Sequence, residues 1–384
     1  MKNYIKHVLI FTMVIASITV QAQKEQFRFK NQISTWTTIN IGTPISYQTG
    51  GRYVPAFSIS DSLKKNRLID AELSLNTYGN LLFTGSRYDS ASTAAKFYRF
   101  WLRYSGQHLE IRIGLQKIDF GSSSILRPLM WFDKMDFRDP LQLTDGVYGI
   151  LGRYYFQKNV NIWLWLLYGE NKTKGWEVAP TLGKTPEYGG RLQIPVSKGE
   201  MGISFHHRET DFSSFYLLFP HVGETHYPEN RIGLDGKWDI GPGIWYEYVV
   251  KKNDPDNGII KKWETYFNIG LDYTFNIGNG INFTTEFFRY SNKDKWSWKG
   301  TDNSYSAFAV NYPFALLNRI TGMVYYNWSQ KEWYRFINLE RKYDYWSFYL
   351  MAFWNPERFS LYNASEDRNL MAGKGIQLMA VVNF

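Results

Sequence analysis

Apolar and polar side chains take turns along almost the whole chain, in segments far longer than ordinary strands. Ile69-Asp70-Ala71-Glu72-Leu73-Ser74-Leu75-Asn76 puts apolar groups at every odd position and polar ones at every even position. That period of two places the two sets on opposite faces of a β-strand. One such strand also fits a soluble sandwich; number, length and spacing decide between them. Eighteen segments of this kind can be read, from 30–41 to 371–384, most of ten to fourteen residues. Soluble strands run to about half that length, whereas about ten residues cross a bilayer at barrel tilt.

The connections alternate too. Short turns such as Ser105-Gly106-Gln107, Gln157-Lys158-Asn159, Ser197-Lys198-Gly199 and Gly241-Pro242 separate longer polar stretches at 80–94, 118–145, 171–185, 210–228, 253–261, 292–302 and 355–370. With an even strand number, all long stretches fall on one rim and both termini on the other. The expectation is an all-β fold: a transmembrane, antiparallel, up-and-down β-barrel of about eighteen strands, with sixteen as the alternative. Aromatic content reaches 18%, with 15 Trp and 28 Tyr, while mean hydropathy is only −0.38. No apolar run after the N-terminal segment approaches the ~20 residues of a membrane helix. A barrel with lipid outside, water inside and aromatic girdles at both interfaces accounts for all three.

The first residues read as a secretory signal. Lys2 and Lys6 precede a mostly apolar stretch from Val8 to Val20, and Val20-Gln21-Ala22 offers small residues for cleavage. The division expected is therefore a signal peptide at 1–22 and one barrel domain at 23–384. Loss of the two lysines leaves a basic chain. Cys is absent, which excludes disulfides, thiolate metal sites and a lipid-modified N-terminal cysteine.

Charged side chains facing lipid would cost about 2–4 kcal/mol each near the midplane, so those on strands are assigned to the lumen. The pore-lining candidates are Arg99, Trp101, Arg103, Glu110, Arg112, Gln116, Arg153, Arg191, Arg231 and Glu264, with Glu187, Asp235, Glu247, Asp272 and Glu286 alongside. Two readings compete for them: a basic ladder that conducts anions, or acid–base pairs that stiffen the wall. Trp101, Trp163 and Trp165 alternate inward and hint at saccharide contact, whereas Trp245, Trp263, Trp328, Trp346 and Trp354 suit interfacial girdles.

Segment 118–145 is unusual, because Leu129, Met130, Trp131, Phe132 and Met135 need burial. It is expected to fold into the lumen as a constriction carrying Arg127, Trp131, Asp133, Lys134, Asp136, Arg138 and Asp139. The alternative is a lid or subunit contact at the rim. Enzymatic residues are hard to find. His206 and His207 are adjacent, so only one can face inward, and His221, Glu224 and His226 match no metal-ligand spacing. No Gly-x-Ser-x-Gly elbow or phosphate cradle occurs, so neither an enzyme, a metal nor a cofactor is expected. No basic helix or zinc module supports nucleic-acid binding.

The final strand carries Ile376, Leu378, Ala380, Val382 and Phe384 on one face and resembles the terminal strand recognised by the barrel-insertion machinery. With it, the chain resembles a bacterial outer-membrane porin, and Gln23 after the cleavage site resembles secreted proteins of the Bacteroidota. Ile113-Gly114-Leu115-Gln116-Lys117-Ile118-Asp119-Phe120-Gly121 is similar to a segment of alginate-export porins. The resemblance implies a Gram-negative outer membrane and a water-filled channel for small hydrophilic solutes, anionic or saccharide. Its partners would be outer-membrane lipid, lipopolysaccharide and the insertion machinery, with self-association as a further option. The second function considered is a non-conducting barrel that serves as a structural or assembly component of an envelope complex.

Overall fold

The computed structural model describes residues 27–63, 66–169, 171–213, 225–254, 261–296, 302–357 and 371–384. The segment read as a signal, together with His221 and Glu224, lies outside them. Eighteen strands occur among the described residues. The first nine are β1 (Phe27–Asn40), β2 (Ser46–Leu63), β3 (Arg67–Thr84), β4 (Arg87–Ser105), β5 (Leu109–Gln116), β6 (Val147–Tyr155), β7 (Asn161–Leu167), β8 (Glu187–Val196) and β9 (Gly199–Asp211). The second nine are β10 (His226–Asp239), β11 (Gly243–Asn253), β12 (Trp263–Phe275), β13 (Ile281–Lys293), β14 (Asn303–Phe314), β15 (Asn318–Asn327), β16 (Glu332–Lys342), β17 (Trp346–Trp354) and β18 (Lys374–Asn383).

Each strand pairs antiparallel with its neighbours in sequence, and β1 also pairs with β18, from Gln32↔Asn383 to Asn40↔Gly375. The sheet therefore closes on itself, and no edge is left to aggregate. Eighteen strands, rather than the alternative sixteen, complete the barrel. By strand order, the long connections fall on one rim; the other carries short links between successive strands, together with the start of β1 and the end of β18.

Pleating sorts the side chains. On β9, Met201, Ile203 and Phe205 face outward and are exposed, while Gly202, Ser204, His206 and Arg208 face the interior and are buried. Cross-strand register extends the apolar set, since Ile203 stands opposite Leu192 on one side and Leu234 on the other. The same pattern puts Phe100, Leu102, Ile113, Leu164, Ile232, Phe308, Leu350 and Leu378 outside. An apolar surface of that extent is not stable in water and is matched by lipid.

Two expectations need correction. Residues 80–94 do not form an external loop: β3 and β4 run through them and meet at a two-residue turn, where Gly85 has φ +59°. The Ser, Thr and Ala of 90–95 give neither face an apolar stripe, so this strand pair had no periodicity to read. Trp245 is not a girdle residue. It faces inward, 1% exposed, because its register partner Gly270 has no side chain and leaves room for the indole.

Candidate constriction inside the barrel

β5 and β7 are the shortest strands of the barrel, and at their ends the chain turns inward rather than continuing the wall. Segment 117–146 enters the lumen and buries Ile118, Phe120, Ile125, Leu126, Leu129, Met130, Trp131 and Phe132, none more than 7% exposed. Their partners are the inward faces of β7–β10. Phe120 stacks on Trp165 at 5.6 Å between ring centroids, and Phe132 meets His206 edge-on at 5.2 Å. Gly233 makes the approach feasible, because a Cβ there would collide with Leu129.

A chain folded into the lumen brings backbone N–H groups that must find acceptors. Two wall carboxylates supply them. Glu247 of β11 accepts from the N–H of Ser123 at 2.7 Å and of Leu129 at 2.9 Å. Glu286 of β13 accepts from Ser124 at 2.7 Å, Ile125 at 3.1 Å and Leu126 at 2.6 Å. Between them, the Asn268 amide donates to the Leu126 carbonyl at 2.7 Å, and the Trp245 indole donates to Glu286 at 3.2 Å. Gly121, at φ +102°, lies against Glu247 where a side chain would not fit. The segment is thus held by its backbone and does not depend on apolar contact alone.

A second inward segment, 168–186, locks the first in place. The Trp176 indole donates to the Arg127 carbonyl at 2.7 Å and stacks on Phe288 at 5.0 Å. Glu177 is fully buried and sits 2.6 Å from Arg231 and 3.1 Å from Arg208. Both arginines also pair with Glu229, at 2.5 and 2.8 Å. Nearby, Glu187 receives Lys174 at 2.5 Å and His206 at 3.1 Å. The other nitrogen of His206 accepts from the Trp165 indole, so both ring positions are used. Buried charges of this kind are tolerable only when all are paired. Burial would raise the carboxyl of Glu177, but Arg208, Lys174 and Arg231 outweigh it and hold it below the usual range.

The polar residues expected in the constriction divide by role. Arg127 pairs with Asp119 and lies 3.8 Å from Asp133. Burial pushes Asp133 up to about 6; Arg127 opposes the rise and the charge of Asp119 adds to it. Asp119 is held below its ordinary value, since Arg127 and Lys117 overcome the effect of burial. Asp136 and Arg138 pair with each other, Lys134 donates to Thr173, and Asp139 accepts from the Leu141 N–H. Trp131 is buried and offers nothing to a solute. A cavity of about 370 Å³ lies against this segment, lined among others by Asp119, Ser124, Arg127, Phe137 and Gln142.

The wall candidates also separate into groups. Arg103, Glu110, Arg112 and Arg153 form one cluster near the short-turn rim. Arg103 binds Asp70 through two nitrogens at 2.9 and 2.7 Å, and Glu110 lies within 3.4–3.6 Å of all three arginines. Trp101 sits between Arg103 and Arg112, with their guanidinium carbons 5.5 and 4.9 Å from its ring. Trp163 takes Arg153 on its face at 3.9 Å. Arg99 reaches the Thr144 carbonyl at 3.1 Å, and Gln116 donates to Arg112 and Gly149 carbonyls. Arg191 pairs with Asp235 at 2.6 Å and Arg231 joins Glu177; both lie beneath the inward segments. Glu264 contacts Lys251 at 3.5 Å and the Tyr266 hydroxyl at 2.5 Å. Glu177, Lys174, Arg208, Glu229, Lys251 and Asn268 were not singled out from sequence. Alternation with His206 and Arg231 marks Arg208 and Glu229 as inward, whereas Lys174 and Glu177 sit in a connection with no period.

No protein-family model matches this chain, and no curated protein matches it. Among solved structures it is similar to OccAB4 of Acinetobacter baumannii, with a TM-score of 0.57 at 9% identity over 94% of this chain and 98% of that one. It is similar to OccK7 (OpdD) of Pseudomonas aeruginosa, with a TM-score of 0.55 at 11% identity over 93% and 99%. It is also similar to Escherichia coli Wzi, an outer-membrane protein involved in group 1 capsule assembly and a carbohydrate-binding β-barrel, with a TM-score of 0.54 at 11% identity over 92% and 84%. At these identities the likeness is one of fold: a closed antiparallel barrel of the kind found in bacterial outer-membrane porins.

Proposed function

We propose that this chain is an outer-membrane channel for passive diffusion of small hydrophilic solutes. The observation that carries the reading is the closed eighteen-stranded barrel, apolar outside and charged inside, narrowed by a segment anchored to its own wall. Barrels of sixteen to eighteen strands enclose enough width for an aqueous path. Residues 1–22 would be removed on export, 23–384 would form the barrel in a Gram-negative outer membrane, and the long connections would face lipopolysaccharide. Diffusion requires no cofactor and no covalent step.

The finer reading is a leaning toward anionic or saccharide solutes. Arg103, Arg112 and Arg153 pair with Asp70 and Glu110 in the cluster near the short-turn rim, three positive groups against two. The sequence likeness to alginate-export porins agrees with an anionic solute, although its segment is divided here between β5 and the start of the inward fold. Liposome swelling and reversal potentials test both levels. Swelling in small sugars supports the channel. Arg112→Glu is expected to move the reversal potential toward cations, and an unmoved potential would defeat the anion preference.

A second reading is a non-conducting barrel that serves as a structural or assembly component. The depth of burial of both inward segments favours it, as does the likeness in fold to Wzi. A folded barrel silent to every solute would select this reading.

A further inference from the structure

At the long-connection rim, away from the constriction cavity, the ends of β9–β13 enclose a pocket of about 160 Å³ over Val178 and Ala179 of the second inward segment. That is the space of about five waters, too small for a drug-sized ligand and suited to one ring. Its aromatic lining comes from Phe212 and Tyr227, whose rings lie 5.1 Å apart, and from Tyr290, which lies 5.0 Å from Tyr266. Its charged lining is already paired. Arg208 holds Glu229 at 2.8 Å, Lys251 holds Glu264 at 3.5 Å, and Lys261 at the margin holds Asp294 at 2.7 Å.

An ion entering this pocket would have to break one of those pairs, at the cost of stranding its partner. A neutral polyhydroxyl ring would not. Its hydroxyls both donate and accept, matching carboxylate oxygens and ammonium, amide and phenol donors set side by side. Its C–H face matches the partly exposed rings of Phe212 and Tyr290, with Tyr227 packed behind Phe212. We propose that this mouth pocket binds one neutral hexose ring, belonging either to a free oligosaccharide or to a surface glycan. The site deepens the saccharide part of the channel reading, and it stands or falls separately from conductance.

The full-length protein in detergent is titrated with maltose, lactose and cellobiose by saturation-transfer NMR and calorimetry, with glucuronate as the anionic comparator. The expected result is saturable binding of at least one disaccharide, with transfer to ring C–H protons. Phe212→Ala and Tyr290→Ala should each weaken it about tenfold, the order expected on truncating a stacking aromatic. Heat-modifiable gel migration checks that the barrels are intact, and Asn292→Ala serves as a milder variant at the margin. In planar bilayers, current block by sugar added on the long-connection side marks a solute in transit, and binding without block marks a tethered glycan. Absence of saturable binding by all three sugars overturns the proposal. So does unchanged binding in both the Phe212 and Tyr290 variants, or tighter binding of glucuronate.

Discussion

The wall formed by β8–β13 and the wall formed by β14–β18 belong to one sheet, yet they meet the interior with opposite chemistry. The first presents Glu187, Arg191, His206, Arg208, Glu229, Arg231, Asp235, Glu247 and Glu286, all buried. The second presents Ala307, Ala309, Met323, Tyr325, Phe336, Met351, Phe353 and Met379, equally buried and uncharged, and keeps its inward charges, Glu332 and the Arg319–Glu340 pair, to the strand ends. The charged wall is the one to which the inward segments are tied. Its charge therefore marks where chain docks, not where solutes pass. A folded-in segment brings N–H and C=O groups into a place short of water, and only polar partners satisfy them. Arg208 answers that need by donating to the Ala179 carbonyl at 3.1 Å, and Arg191 and Arg231 are paired with carboxylates beneath the inward segments, whereas Arg103, Arg112 and Arg153 stay half-buried.

If this contrast is right, the two walls respond differently to substitution. The largest loss is expected for Arg208→Ala, which leaves Glu177 and Glu229 short of a partner. The cost should be about 3–5 kcal/mol, read as the urea midpoint of the detergent-solubilised barrel. Glu286→Ala comes next, at about 2–4 kcal/mol, because three N–H donors of the inward segment lose their acceptor. The same variant should raise single-channel noise, and an unchanged noise spectrum would show that the clamp does not hold the segment.

A pH titration sharpens the picture within the constriction. Asp133 titrates near 6 when folded and near its ordinary 3.8 when unfolded, so the fold favours its protonated form. That contribution is full below about 3.8 and is lost as pH rises through 6. Glu177, held low, acts in the opposite sense and loses its contribution only as pH falls through and below its ordinary 4.5. The Asp133 contribution should therefore grow as pH falls from 7 to 5, by on the order of 1 kcal/mol per unit at most, read as the difference in stability between the native chain and Asp133→Asn. The smallest effect is expected on the apolar wall, where Met351→Leu should cost less than about 1.5 kcal/mol and leave conductance unaltered.

Much of the barrel was legible because bilayer thickness and pleating both write into the sequence. β9 alternates cleanly, and its bounds and inward face follow from that. β17 is harder. In Trp346-Ser347-Phe348-Tyr349-Leu350-Met351-Ala352-Phe353-Trp354 both faces are apolar, so the run announces a strand but not which residues look inward. The inward fold of 117–146 could be anticipated, because five large apolar groups in one connection require burial. Its fastening could not. Glu247, Asn268 and Glu286 look like any lumen residues on their strands, and the backbone N–H and C=O groups that they hold lie more than 100 positions away in sequence. Lys174 and Glu177 carry no pattern, since their role depends on a meeting of two connections.

The most direct measurement is a paired planar-bilayer recording of the native chain and a Glu247→Ala, Glu286→Ala double variant. Steady, ohmic conductance in the native protein and a larger, noisier conductance in the variant are the expected results. A native barrel that is folded yet silent, or a variant whose current is indistinguishable from the native, would contradict an aqueous path narrowed by a wall-anchored segment.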